Sequence, residues 1–456
     1  MAQEKEFVHS LDKPRKRGYV LVEDTMKPLK IAVVGAGSTY TPELLDGFIR
    51  RKDRLAVAEL RLMDTDREKG NVIAALAERM FKKAGLAPSF LITEDLNRAL
   101  DGADYVIAQI RVGGLAARIR DEKIPLKYGL MGQETTGIGG MMNALRTIPV
   151  ILDLARRMER LCPRGTLINF SNPSGLVAQA VANQTTVRMW GLCNGPINMV
   201  RHLQNLLPQG VKNFDYDFVG LNHLCWITAA YADGVDILPT LLAQGASSAI
   251  LKNIDGIDYP PDLRSAVPYL PIAYLNYFYF RNQELKALQG AIKSRGEVVQ
   301  EIEKELLASY RDPALNEKPL SLEKRGGALY SEAAVSLIEA VENDTGAVHV
   351  IDVPNRGSYD FMDDDDVVEV KCRIDAQGAH PIPMRGFSHP VVISLVRTLK
   401  AYEKLAARAA LTGDRSAALG ALLVHPLVGD YSAASSALEE MLLANRDYLP
   451  QFFPQT

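Results

Sequence analysis

"KIAVVGAGSTYTPELLDGFIRR", residues 30–51, contains a strand, a tight turn and the start of a helix. A β-branched apolar run leads into Gly35 and Gly37, and from Thr41 and Pro42 onward the apolar residues recur at helical spacing. Gly35 permits a tight turn. Gly37 lets the backbone approach a pyrophosphate, with the N-terminus of the following helix facing that negative charge. Tyr40 occupies the place of the usual third glycine, so the dinucleotide fingerprint is partial. The plainer alternative is a glycine turn used only for packing.

The flanking sequence repeats the unit. "ELRLMDTD" (59–66) is a second short strand ending on acids, and "REKGNVIAALAERMFKKAG" (67–85) is an amphipathic helix closed by glycine. "ADYVIAQIRVGG" (103–114), "GTLINFSNPSG" (165–175) and "VRMWGLCNGP" (187–196) are three more apolar runs with polar or glycine ends, separated by helical segments around 140–160 and 174–184. This alternation predicts an α/β fold: a Rossmann-type domain with a mainly parallel sheet over residues 30–225. Ligands in such sheets gather beyond the carboxyl ends of the strands. Asp64 closes the second strand where it could bond a ribose hydroxyl pair, and an acid there favours NAD over its phosphorylated form. Gly35, Gly37, Ser38, Thr39, Asp64 and Ile110 form the candidate cofactor-binding set.

Beyond residue 225 the pattern changes to "LPIAYLNYFYF" (270–280), a long helix from about 285 to 311, "YSEAAVSLIEAVEND" (330–344), a strand at 347–355 and terminal helices. Residues 226–456 are expected to be a closely packed α+β and helical C-terminal domain. The acidic run "MDDDD" (362–366) reads as a solvated loop. Residues 1–29 read as a poorly ordered N-terminal extension without the apolar core, about 7 to 15 residues long, of a signal peptide.

Composition narrows the functional classes. The chain has 456 residues, 52 basic against 55 acidic, and 47% apolar content, enough for a large core in two or three domains. "KPRKRG" (13–18) is the one dense basic cluster, so no nucleic-acid partner is expected. No run approaches about 18 uninterrupted apolar residues, so no membrane association is expected either. Four cysteines in so long a chain do not make a disulfide framework, which points to a reducing cytoplasm and to metal or thiol chemistry for any special cysteine.

Cys193 and His223 each end a predicted strand, "WGLC" and "FVGLNH". If the two strand ends are neighbours, thiolate and imidazole could share a divalent ion and leave coordination positions open for substrate oxygens. Taken alone, Cys193 is more ordinary as a core thiol. Residues 111–150 combine Arg111, Arg118, Arg120, Glu134 and several glycines, either a loop with surface ion pairs or a substrate lid with anion-binding arginines and a buried carboxylate. Asn172 could be a helix cap, and Tyr274 could be ordinary aromatic core.

Taken in order, "VVGAGSTYTPEL", "IRVGG", "IPLKYGLMGQETTGIGG", "RTIPV", "NFSNPSG", "GLCN", "GLNHLCW", "PIAYLNYFY" and "EKRGGALYSEAA" resemble glycoside hydrolase family 4, in particular its 6-phospho-β-glucosidase branch. The resemblance implies an NAD⁺- and Mn²⁺-dependent glycosidase, an exception to the two-carboxylate mechanism. In that scheme hydride leaves C3 of the sugar, the ketone acidifies the C2 proton, a divalent ion polarises the C2 and C3 oxygens, and a tyrosinate removes that proton. The C1–O1 bond then breaks by elimination, water adds, and the hydride returns. By resemblance, Cys193 and His223 are the metal ligands, Tyr274 is the base, and Glu134 raises the basicity of that tyrosine. Arg118, Asn172 and Arg295 contact substrate, with Arg111 and Asn194 as further candidates. Asn194 stands where the α-specific branch has an aspartate able to protonate the leaving group, and an amide has no such proton to give.

The expected substrate is a phosphorylated β-glucoside, hydrolysed in the cytoplasm by a homodimer or homotetramer. Other readings remain: a plain NAD-dependent sugar dehydrogenase, a non-catalytic nucleotide sensor, or a glycosidase of the same mechanism acting on an unphosphorylated, galacto-configured or other anionic sugar.

Overall fold

A computed structural model describes residues 26–246, 254, 256–325 and 329–454. Of the expected N-terminal extension, residues 1–25 lie outside the described residues, while Pro28 and Leu29 already belong to the first strand. Six strands, β1 (Pro28–Val34), β2 (Ala56–Met63), β3 (Ser89–Thr93), β4 (Tyr105–Ala108), β5 (Thr166–Asn169) and β6 (Arg188–Gly191), lie in the order β3-β2-β1-β4-β5-β6. Every pairing among them is parallel. This is the strand order of the doubly wound dinucleotide fold. β4 and β5 are buried along their whole length, as unbroken apolar strands between helical layers require.

The chain then builds a small antiparallel sheet from β7 (Phe214–Leu221), β8 (Leu224–Ala232), β9 (Val235–Asp236) and β10 (Leu270–Pro271), ordered β10-β8-β7 with β9 on β8. β6 and β7 therefore belong to different sheets, and residue 225 falls inside β8. Three later strands, β11 (Ala347–Pro354), β12 (Val367–Asp375) and β13 (Gly378–Pro381), return to the first sheet and continue it antiparallel beyond β6. Among the described residues the large sheet thus has nine strands, drawn from both halves of the sequence.

Sequence patterning missed β3, β8, β9, β10, β12 and β13. β3 is a short, half-exposed edge strand. β12, "VVEVKCRID", carries charges at positions that prove to be buried and paired, so it does not read as a buried strand. The helix expected over 285–311 is two helices, Arg281–Gly290 and Arg295–Tyr310. Ser294 and Glu297 form a reciprocal capping box that starts the second. The acidic run is only partly solvated, because Asp366 is buried and pairs with Lys404 at 2.6 Å.

The helix Gly137–Leu161 is long and apolar enough to cross a membrane, but 83% of its apolar window is buried inside the fold, which makes it a core helix. The two halves are joined by one continuous hydrophobic core. They are also pinned by ion pairs: Arg51, at the end of the helix Thr41–Ile49, reaches Glu332 and Glu339 of the helix Tyr330–Glu342 at 2.8 Å each.

Candidate active site

An open cleft of about 620 Å³ runs along the carboxyl ends of β1, β2, β4 and β5. The first turn after β1 has the shape the sequence suggested. Gly35 sits at φ +86°, and a Cβ there would lie 2.8 Å from the Gln109 carbonyl oxygen. Gly37 is pressed against Asp64: its N–H donates to Asp64 Oδ2 at 2.7 Å, and a Cβ would stand 2.8 Å from the same oxygen. Asp64 Oδ1 accepts from Asp66 N at 2.8 Å, so the carboxylate is aimed by backbone on both oxygens. Ser38, Ile110, Arg111 and Asn172 also line the cleft. Thr39 is not among its lining residues; it is buried, and its carbonyl accepts from Tyr310 Oη at 2.9 Å. Tyr40, in place of the third glycine, has the Arg325 guanidinium over its ring at 4.5 Å.

Beside the cleft, paired with Arg111 of its lining, lies Glu134. It is buried and held by two arginines, Arg111 Nη1 at 2.5 Å and Arg118 Nη1 at 3.0 Å. Burial pushes its carboxyl up, but the charges of Arg111 and Arg118 outweigh burial and hold it below the usual carboxylate range. Arg118, itself buried, also pairs with Glu122 at 2.8 Å, and Glu122 Oε2 accepts from Gly296 N at 2.6 Å. That bond ties the network to the first turn of the helix Arg295–Tyr310, where Arg295 donates to the Arg325 carbonyl at 2.8 Å. Burial and the nearby Arg118 charge lower the Arg295 pKa, as in a cluster built to receive an anion. Within residues 111–136, Arg118, Glu122 and Glu134 thus form an interior ion-pair network, while Lys123 and Lys127 pair with Glu297 and Glu440 at the surface.

Cys193 and His223 come together around Tyr274. Cys193 caps the helix Asn194–Asn205 just beyond β6, its sulfur accepting from Gly195 N at 3.2 Å and its thiol facing Asn194 Oδ1 at 3.9 Å. His223 sits in the turn between β7 and β8 at φ +62°. Its ring lies against that of Tyr274, centroids 4.2 Å apart and planes 32° apart. Tyr274 belongs to a 3₁₀ turn after β10, and its phenol hydrogen-bonds Thr135. Burial, then the charges of Cys193 and Glu134, push that phenol well above its ordinary value. The same burial raises the Cys193 thiol and lowers the His223 imidazole to about 4.

A soft sulfur donor and a neutral imidazole, both desolvated and both beside Tyr274, fit one divalent cation with positions to spare. The glycine turn and the carboxylate aimed by Gly37 fit a dinucleotide. Sequence reasoning overlooked Asn222, although it stands beside His223 in "GLNH": its side chain hydrogen-bonds the Cys193 sulfur and, through Nδ2, Glu369 Oε1 at 3.2 Å. Glu369, on the unpredicted β12, carried no local signal.

The chain matches the model of family 4 glycosyl hydrolases over residues 30–209 and that of the family's C-terminal domain over residues 218–428. It is 43% identical to the probable 6-phospho-β-glucosidase of Bacillus subtilis (strain 168), covering 94% of this chain and 98% of that protein. It is 39% identical to the 6-phospho-β-glucosidase of Escherichia coli (strain K12), covering 93% and 97%. Its fold superposes with a TM-score of 0.83 on the 6-phospho-β-glucosidase of Thermotoga maritima solved with manganese, NAD⁺ and glucose-6-phosphate, at 34% identity over 92% of this chain and 99% of that one.

Proposed function

Because the chain belongs to the family 4 glycosyl hydrolases, we propose that it hydrolyses 6-phospho-β-glucosides such as cellobiose 6-phosphate, using NAD⁺ and a divalent cation, manganese by analogy with its relatives. The observation that carries this reading is the convergence on Tyr274 of His223, Cys193 and Glu134, with Glu134 held by Arg111 of the nucleotide cleft. When bound, NAD⁺ supplies reversible hydride acceptance at C3 of the sugar, and the cation at Cys193 and His223 supplies polarisation that acidifies the C2 proton.

The protein's own residues supply the rest. Tyr274 Oη takes the C2 proton, and its buried setting makes the tyrosinate strongly basic once formed. Glu134 stays ionised between Arg111 and Arg118 and adds negative charge beside the phenol. Arg118 and Arg295, with Arg111 and Asn172 at the cleft, supply donors for an anionic sugar, since a phosphate dianion is costly to desolvate without charge-assisted bonds. Asn194 faces the Cys193 thiol with an amide, so the leaving group departs without a carboxylic acid at this position, which suits β-linked substrates.

We place the junction of the two parts of the chain between residues 209 and 218, where the two family matches meet, and the enzyme in the cytoplasm as a homodimer or homotetramer. All four cysteines are unpaired, in keeping with a reducing compartment. Turnover of the nitrophenyl 6-phospho-β-glucoside, its α-anomer and the unphosphorylated β-glucoside tests the reading. Only the first should react, and only while NAD⁺ and a divalent ion are present; turnover that survives removal of both would overturn it.

A further inference from the structure

The extended sheet places two acids directly behind the proposed metal ligands. Strand register sets Gly191 of β6 opposite Asp352 of β11, and Asp352 opposite Glu369 of β12, so the three form one row two residues before Cys193. Both acids are 1% exposed. Burial at that level is costly unless the groups are bonded. Asp352 Oδ2 accepts from Ser174 Oγ at 2.7 Å, beside the turn that carries Asn172. The nearby Lys400 ammonium is held by Gln179 Oε1 at 2.9 Å, the Val367 carbonyl at 2.6 Å and Glu403.

Glu369 is bonded through Asn222. Asn222 Nδ2 donates to Glu369 Oε1 at 3.2 Å, Asn222 Oδ1 accepts from Gly175 N at 3.4 Å, and the Asn222 side chain also bonds the Cys193 sulfur. An amide has one carbonyl and two N–H donors. With its carbonyl on Gly175, both donors point at acceptors, one at the carboxyl of Glu369 and one at the sulfur of Cys193. Turning the amide over would set its carbonyl against both. The acceptor on Glu369 therefore fixes the orientation of the donor that aims Cys193, and Asn222 is the residue immediately before His223.

We propose that Glu369 is a positioning residue for the metal site, holding Cys193 and His223 in their ion-binding arrangement by fixing the Asn222 amide. This rests on the ligand role given to Cys193 and His223 above. Outer partners of this kind orient ligands and tune affinity. It also gives β12 a task in the chemistry: the site is complete only when the second part of the chain joins the sheet of the first.

The test is a Co²⁺ titration of the full-length protein, followed by the thiolate-to-cobalt charge-transfer absorption in the near ultraviolet, with NAD⁺ affinity as the check on folding. Glu369→Met removes the acceptor and should weaken Co²⁺ binding by about 10- to 100-fold and shift the band, with NAD⁺ affinity kept. Glu369→Gln keeps an acceptor and should stay near wild type. Asn222→Ala should lose affinity as Glu369→Met does, and the double variant no more than the worse single one, because both cut the same link. Wild-type Co²⁺ affinity and an unchanged band in Glu369→Met, or in Asn222→Ala should the first variant fail to fold, overturn the proposal, as do additive losses. An intact charge-transfer band in Cys193→Ser would instead remove the ligand assignment itself.

Discussion

Tyr274 is the residue on which the chemistry turns. Its ring rests on His223, its phenol is raised by burial and by Cys193 and Glu134, and it sits in a 3₁₀ turn after β10. Replacing it with Phe removes the proton acceptor and leaves the packing, so kcat should fall by about 10²- to 10⁴-fold while NAD⁺ affinity is kept. Exchange of the C2 proton with solvent, followed by NMR, should stop in that variant; continued exchange would assign the base elsewhere. Cys193→Ser should abolish metal-supported turnover, and full activity would exclude the sulfur as a ligand. Neither residue announces itself by type. A cysteine ending an apolar strand is more ordinary as core, and a tyrosine among aromatics more ordinary as packing; an ordered series of motifs singled out both, and the ring contact between Tyr274 and His223 appears only in the fold. Asn222 and Glu369 escaped because their function lies in a contact between positions 147 residues apart.

Among the elements, the turn between β1 and the helix Thr41–Ile49 was the most legible, because two glycines with distinct steric reasons stand in a short window. Gly37→Ala puts a Cβ within 2.8 Å of Asp64 Oδ2, so either the turn or the carboxylate must move. NAD⁺ affinity, measured by calorimetry, should drop at least about tenfold, the equivalent of about 1.4 kcal/mol; an unchanged value would free Asp64 from the role given to it. The helix break before Arg295 was less legible, although "SRGE" contains a capping box. Ser294→Ala should cost about 1 kcal/mol of stability, read as a shift in urea midpoint, and should weaken substrate binding through Arg295. Periodicity alone carried the helical spacing across residues 291–294, because it does not register a cap in mid-run. β12 was illegible for a different reason: Glu369 and Lys371 point inward to partners, Asn222 and Asp215, that lie far away in sequence.

At the scale of the whole molecule, β11, β12 and β13 extend the dinucleotide sheet, and the buried polar groups behind it make the fold sensitive to pH. Burial lowers the His425 imidazole to about 3, where its Nε2 accepts from Gly137 N at 3.1 Å. As pH falls below about 6.5 the unfolded chain takes up a proton that the folded chain refuses, so this group costs stability on the acid side. Burial raises Asp121 to about 6 and Asp352 to about 7, and these act with the opposite sign, contributing stability at low pH that is lost as pH rises through those values. A single variant separates the two effects. His425→Gln should gain stability relative to wild type as pH drops from about 6.5 to 5, by up to about 2 kcal/mol in urea unfolding. A difference that stays constant with pH would show that His425 is not held neutral by the fold.

The parallel sheet of β1, β2, β4, β5 and β6 followed from apolar runs alternating with helices, whereas the return of β11 to β6 follows from a single register contact, Asp352 opposite Gly191, that no local pattern encodes. The central claim is that glycosidic cleavage here proceeds through loss of the C2 proton to Tyr274, made possible by NAD⁺ and a divalent ion. The most direct measurement is hydrolysis of nitrophenyl 6-phospho-β-glucoside in D₂O, with the released sugar phosphate analysed by NMR. Deuterium at C2, with turnover that requires both NAD⁺ and Mn²⁺, is the predicted result; a product bearing only protium at C2 would contradict it.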